Sequence, residues 1–146
     1  MFKKKFYANV LNALVKELTT DEIDDEVRIN EVLNTFSELM SQVPENEIVT
    51  INETIISDFY IKCRERSRLS FYVDFIGYYC QKATVNYEKF AGQYLRNVLT
   101  LMNDQNDKLV EKVVKAFNAI IGGLQKENQF THIPLIKNVI EEIAVD

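Results

Sequence analysis

The densest set of side chains able to do chemistry is a run of cations, Lys62, Arg64, Arg66 and Arg68, opposed within it only by Glu65. Guanidinium groups fork onto phosphates and carboxylates, so these four residues form a candidate partner-binding site. The competing reading is a solvated turn whose charge opposes aggregation. An acidic counterpart precedes it: Glu17, Asp21, Glu22, Asp24, Asp25 and Glu26, with only Arg28 nearby to balance them. These carboxylates lack the spaced ligands and turn glycine of a calcium-binding loop. They read as a solvated turn whose aspartates suit the positive N-terminus of the helix that follows.

The parts that catalysis usually requires are sparse. His132 is the single histidine, so neither a histidine-based triad nor a multi-histidine metal site can be assembled within the chain. It sits beside Ile133 at an expected helix start, which favours a structural or solvated role. Cys63 and Cys80 are the only cysteines and have no metal-binding spacing. They read as free thiols in a reducing compartment. Cys63 adjoins Lys62 and Arg64 but has no histidine near it in sequence, which makes it at most a modestly reactive surface thiol. No cofactor, metal or catalytic residue is implied.

Composition narrows the class further. The chain has 146 residues, of which 47% are hydrophobic, enough to bury a core. Four glycines and two prolines leave room for long helices. The formal charge is −5, which disfavours a protein devoted to wrapping nucleic acid, although local RNA contact stays open. No apolar run is long enough to span a membrane. Lys3, Lys4 and Lys5 precede a stretch interrupted by Asn9, Asn12 and Lys16, unlike a secretory leader. The expected location is cytoplasmic, and the Asn52-Glu53-Thr54 triplet therefore carries no weight as a glycosylation site.

The elements that must position these residues follow a repeat of 42 residues. Leu14, Ile56, Val98 and Ile140 are equally spaced, and two further ladders share the period: Leu33, Phe75, Phe117 and Phe36, Tyr78, Ile120. Two distinct helices therefore recur in each unit. A period near forty built from helix pairs lies in the HEAT and armadillo range, so the expected fold is an all-α, HEAT-like α-solenoid wound as a right-handed superhelix. Such folds present surfaces in place of pockets, which shifts the expectation from enzyme to scaffold.

Apolar residues at three- and four-residue spacing place the helices. Phe6, Val10, Ala13, Leu14 and Leu18 define a first helix over about 3–18, and Ile29 to Val43 a second over about 25–42, stopped by Pro44. Ile48, Ile51, Ile55, Ile56 and Phe59 mark a third, and Leu69 to Cys80 a fourth beyond the Arg-rich turn. A fifth is capped by Asn86 and ends near Met102. The sixth begins at Asp107, carries Val113, Val114, Phe117 and Ile120, and ends at Gly122-Gly123. Tyr7, Tyr60 and Tyr87 fall partly off the stripes as candidate surface anchors. The chain thus divides into helix pairs at about 3–44, 45–85 and 86–125. Residues 126–146, with Phe130, Ile136, Ile140 and Ile143 on one face and Pro134 within, form the first helix of an incomplete fourth repeat, which suggests a piece of a longer array.

The third unit carries a resemblance. Asn106-Asp107-Lys108-Leu109-Val110 enters a helix containing Lys115-Ala116-Phe117-Asn118-Ala119-Ile120, followed by Leu124-Gln125-Lys126-Glu127-Asn128-Gln129. This resembles the HEAT repeats of the translational activator of general amino-acid control, the general control non-derepressible family, most closely over about 87–145. The resemblance implies a non-catalytic cytosolic scaffold that associates with ribosomes and helps activate the kinase that phosphorylates the alpha subunit of initiation factor two during amino-acid starvation. It transfers no binding residue to a position here. Two other readings stay open: a small stand-alone adaptor dimerising through Ile136, Ile140 and Ile143, and a helical accessory subunit of an enzyme.

Overall fold

Each helix in the chain has an apolar stripe too wide to leave in water, and the stripes are satisfied by stacking helix pairs side by side. The computed structural model describes residues 3–20, 24–83, 87–103 and 107–125. Among them α1 (Lys3–Thr19) leads to α2 (Glu26–Ser41). A continuous rod follows, built from α3 (Glu45–Ile51), one π turn (Asn52–Ile56) and α4 (Ser57–Glu65), and α5 (Leu69–Lys82) returns from it. Then α6 (Glu88–Leu99) tightens into a 3-10 turn (Thr100–Asn103) before α7 (Asp107–Gln125). No strand occurs among the described residues.

Local chemistry sets the boundaries. Asp25 caps α2, its carboxylate accepting from the Val27 backbone N–H at 3.0 Å. Pro44 ends the second helix and serves as the extended N-cap residue of α3. The π turn was not foreseen: the Ser57 N–H reaches back five residues to the Asn52 carbonyl, and the Ser57 hydroxyl donates to the same oxygen at 3.0 Å. Within this widened turn Asn52, Ile55 and Ile56 are all buried.

The helices form two layers. The first helix of the chain packs on the rod, while α5 lies between α2 and α7 in the other layer and also meets α4. An aromatic column ties the units together. Phe36 of α2 stacks on Phe75 of α5 with ring centroids 4.5 Å apart, and Phe59 of α4 meets Phe36 edge-on at 5.1 Å. Phe75 then stacks with Tyr79 at 5.7 Å, and Tyr79 meets Tyr94 of α6 edge-on at 6.3 Å. Offset and edge contacts of this kind add to the burial of large apolar faces.

The repeat is visible in burial. Ile56, Val98, Leu33, Phe75, Phe36 and Ile120 are buried, and Leu14, Phe117 and Tyr78 are partly so. It is also visible in chemistry, since the Tyr94 hydroxyl donates to the Asn52 side-chain oxygen across a sequence separation of 42 residues. Asn52 in turn donates to the Ile48 carbonyl at 3.0 Å. Both side chains are therefore satisfied inside the core.

Several expectations require correction. In α1 the fully buried residues are Leu11, Val15 and Leu18, whereas Phe6 is 51% exposed and Ala13 also faces solvent. The apolar arc of this helix is wider than α2 and the rod together cover. Val114 of α7 is exposed, and the small residues Ala116 and Ala119 are buried in its place. They allow close approach to α5, where a β-carbon on Gly77 would lie 3.8 Å from the Ala116 Cα. The Gly122-Gly123 doublet does not end α7, which continues to Gln125. Tyr87 is no surface anchor but is 3% exposed, its hydroxyl donating to the Ile120 carbonyl at 2.7 Å. The Asn86 cap and the expected helix over 126–146 lie outside the described residues.

The two glycines of the doublet have opposite roles. A β-carbon on Gly123 would stand 2.0 Å from the Tyr87 hydroxyl oxygen, whereas one on Gly122 would meet nothing within 4 Å. Gly122→Ala is therefore expected to raise stability by about 1 kcal/mol through helix propensity alone. Gly123→Ala is expected to lower it by roughly 1–3 kcal/mol, because Tyr87 is wedged between buried rings and cannot yield. Urea unfolding of both variants distinguishes the cases, and equal shifts would remove Tyr87 as the reason for the second glycine.

Candidate functional site

The basic run occupies the turn between α4 and α5. The helix ends in a Schellman arrangement, with the Arg68 N–H bonded to the Cys63 carbonyl at 2.7 Å and the Ser67 N–H to the Arg64 carbonyl at 3.4 Å. Ser67 holds the left-handed position with φ 58°, where glycine is usual. This backbone reversal sends the four cations in different directions. Lys62 is half-buried and pairs with Asp58 one turn earlier at 3.0 Å. Arg64 is exposed with its guanidinium over the Tyr60 ring at 5.7 Å from the centroid, and that ring rests edge-on against Tyr72 at 4.9 Å. Arg66 is exposed at the turn.

Arg68 points the other way. Its Nη1 donates to the Leu18 carbonyl at 3.0 Å and to the Thr20 carbonyl, and its guanidinium lies over Phe71 at 5.7 Å. The last carbonyls of a helix have no donor of their own and carry the negative end of its dipole, so a cation there both satisfies and neutralises them. Arg68 thus fastens the end of α1 to the α4–α5 turn. Asp24, Asp25 and Glu26, at the start of α2, are exposed. Arg28 in that acidic region is held by Glu17 at 2.7 Å.

Both cysteines are free thiols as expected, but Cys63 is not at the surface. Cys63 and Cys80 are both unpaired and buried, at 0% and 1% exposure. Desolvation pushes each thiol up from an ordinary 9.0 to about 12, so neither is a nucleophile at neutral pH. The same burial raises Tyr72, Tyr79, Tyr87 and Tyr94 above their ordinary range. Among the described residues no group of three or more His, Cys, Asp or Glu could hold a metal ion. His132 lies outside them.

A second surface escaped the sequence reading. Between α5 and α7 runs a groove of two adjoining cavities, about 380 Å³ and 320 Å³, which share Gln81 and Lys115 on their walls. The first reaches Asn118 and Gly122, the second Lys112 and Asn30 of α2. Lys112 pairs with Asp74 at 2.8 Å across the groove. The spacing of Lys112 and Lys115 along one helix is the only signal of this groove in the sequence, and it says nothing until α5 is in place.

Stacked helix pairs whose exposed chemistry lies in turns and an open inter-helix groove define an α-solenoid of the HEAT type. The family comparison agrees: residues 4–146 match the model described as stalled ribosome sensor GCN1-like, HEAT repeats, and the chain belongs to that family. Searches of curated proteins and of solved structures found no match. No helix among the described residues is long and apolar enough to cross a membrane.

Two outcomes follow from this geometry. Arg68→Ala is expected to cost about 1–2 kcal/mol, the worth of charge-assisted bonds to otherwise orphaned carbonyls. Arg64→Ala should stay within about 0.5 kcal/mol of the parent; chemical denaturation of both variants checks the pair, and equal losses would return Arg68 to the surface set. The raised thiols keep protons in the folded state that the unfolded chain releases above 9.0. Their contribution to stability is thus complete below pH 9.0 and is lost as the pH rises toward about 12. Iodoacetamide should accordingly modify Cys63 and Cys80 only after unfolding, and rapid labelling in native buffer would contradict their burial.

Proposed function

We propose that this chain is a non-catalytic segment of a HEAT-repeat scaffold that associates with ribosomes through protein or RNA surfaces. The observation that carries the reading is the family match over residues 4–146 to stalled ribosome sensor GCN1-like repeats. The structure supports it in kind. The thiols and most of the tyrosine hydroxyls are spent on the core, while the exposed chemistry is spread along turns and helix faces. Recognition by shape and charge suits such a surface.

Within this reading Lys62, Arg64 and Arg66 form the part of the turn edge that meets the partner, with Arg68 holding the turn in place. Arg64 is the best prepared of them, because its ring contact orders the side chain before binding. The cellular setting that fits the family resemblance is the response to amino-acid starvation, where a ribosome-bound scaffold of this kind assists the kinase acting on initiation factor two. A cytoplasmic location follows from the same reading.

Co-sedimentation with purified ribosomes tests it. The chain is expected in the ribosomal pellet at low salt, with occupancy falling as salt is raised, and Arg64→Glu combined with Arg66→Glu should reduce it roughly tenfold. A chain that stays in the supernatant under all salt conditions would overturn the assignment.

A further inference from the structure

The α5–α7 groove has a chemistry distinct from the turn edge. Its floor is small and apolar, formed by Val73, Gly77 and Ala116, and its walls carry the amides of Asn30, Gln81 and Asn118. A carboxamide can donate and accept at once, so such walls match the alternating N–H and C=O groups of an extended backbone. Lys115 stands where the two cavities join, exposed and without an ion-pair partner among the described residues. The one carboxylate in the groove, Asp74, is 16% exposed and already committed to Lys112 at 2.8 Å. The local field is therefore that of an uncompensated cation, in a chain whose net charge is −5.

We infer that this groove binds an extended acidic peptide segment of a partner protein, with Lys115 as its anchoring charge. Length agrees with a short motif. From Lys112 to Gly122 the wall measures roughly 15 Å at the helical rise per residue, which accommodates about four to five residues of extended chain. RNA suits the groove less well, because its phosphates would need several free cations and Lys112 is neutralised by Asp74. The surface lies on the faces of α5 and α7, and its lining includes none of the turn residues Lys62, Arg64 and Arg66. Its test is therefore independent of ribosome association.

The whole chain is titrated against a fluorescein-labelled peptide of alternating glutamate and alanine, a matched lysine–alanine peptide and an oligouridylate, with anisotropy as the readout. Saturable binding of the acidic peptide alone is expected, weakened roughly tenfold or more by Lys115→Glu and restored by Lys115→Arg. Gly122→Leu provides a second test that does not depend on charge. Open space at that position lets the side chain fill the groove while the helix gains propensity, so peptide binding should fall with the melting temperature unchanged or raised. An acidic peptide that fails to bind, or binds both variants like the parent, would overturn the inference. So would an oligouridylate that displaces the peptide and is itself lost with Lys115→Glu.

Discussion

The structure depends on the burial of α5 from several sides at once. Tyr72, Val73, Phe75, Ile76, Tyr79 and Cys80 cover more than one face of a fourteen-residue helix, and α2, α4 and α7 are needed to cover them. A helix apolar around much of its circumference cannot sit at a surface. It must be the middle of something. The aromatic column from Phe36 through Phe75 and Tyr79 to Tyr94 expresses the same demand, since α5 rings meet Phe36 of the preceding unit at one end and Tyr94 of the following unit at the other. No single helix pair could bury its own apolar face, which is why the pairs stack and why the resulting surfaces are open edges and grooves.

How much of this was legible in the sequence depends on how local the determinant is. The 42-residue ladders located the buried Ile56, Val98, Leu33 and Phe75 because solenoid neighbours repeat the same environment. Pro44 marked a boundary because its ring acts on the adjacent residue. The errors arise where a distant partner decides. Nothing near Gly123 announces that Tyr87, thirty-six positions earlier, would require its missing side chain. Arg68 reads like its neighbours Arg64 and Arg66, yet its bonds go to carbonyls 48 and 50 residues away. Cys63 looked reactive because Lys62 and Arg64 adjoin it along the chain. Helical geometry turns consecutive residues to different faces, so those charges point out while the thiol points in.

The turn edge shows how packing and recognition share residues. A basic turn carried on a flexible loop would lose side-chain and backbone freedom on binding. Here the backbone is closed by paired Schellman bonds, Ser67 accepts an unfavourable conformation, and Arg68 ties the turn to α1. The remaining cations are consequently displayed from a fixed base.

The hydrogen bond between Tyr94 and Asn52 joins equivalent positions of successive units, and beside it the Asn97 amide donates to the Tyr72 hydroxyl at 3.0 Å within the same buried interface. Apolar layers resist separation but tolerate sliding, because dispersion contacts have little directionality. A directional bond at the repeat spacing acts as a detent. Under load from a large bound particle, the interface between these units would stay in register until these bonds broke and then yield abruptly, because their buried polar groups would lose their partners together. The segment would behave as a spring with a built-in threshold, set largely by two tyrosine–asparagine pairs.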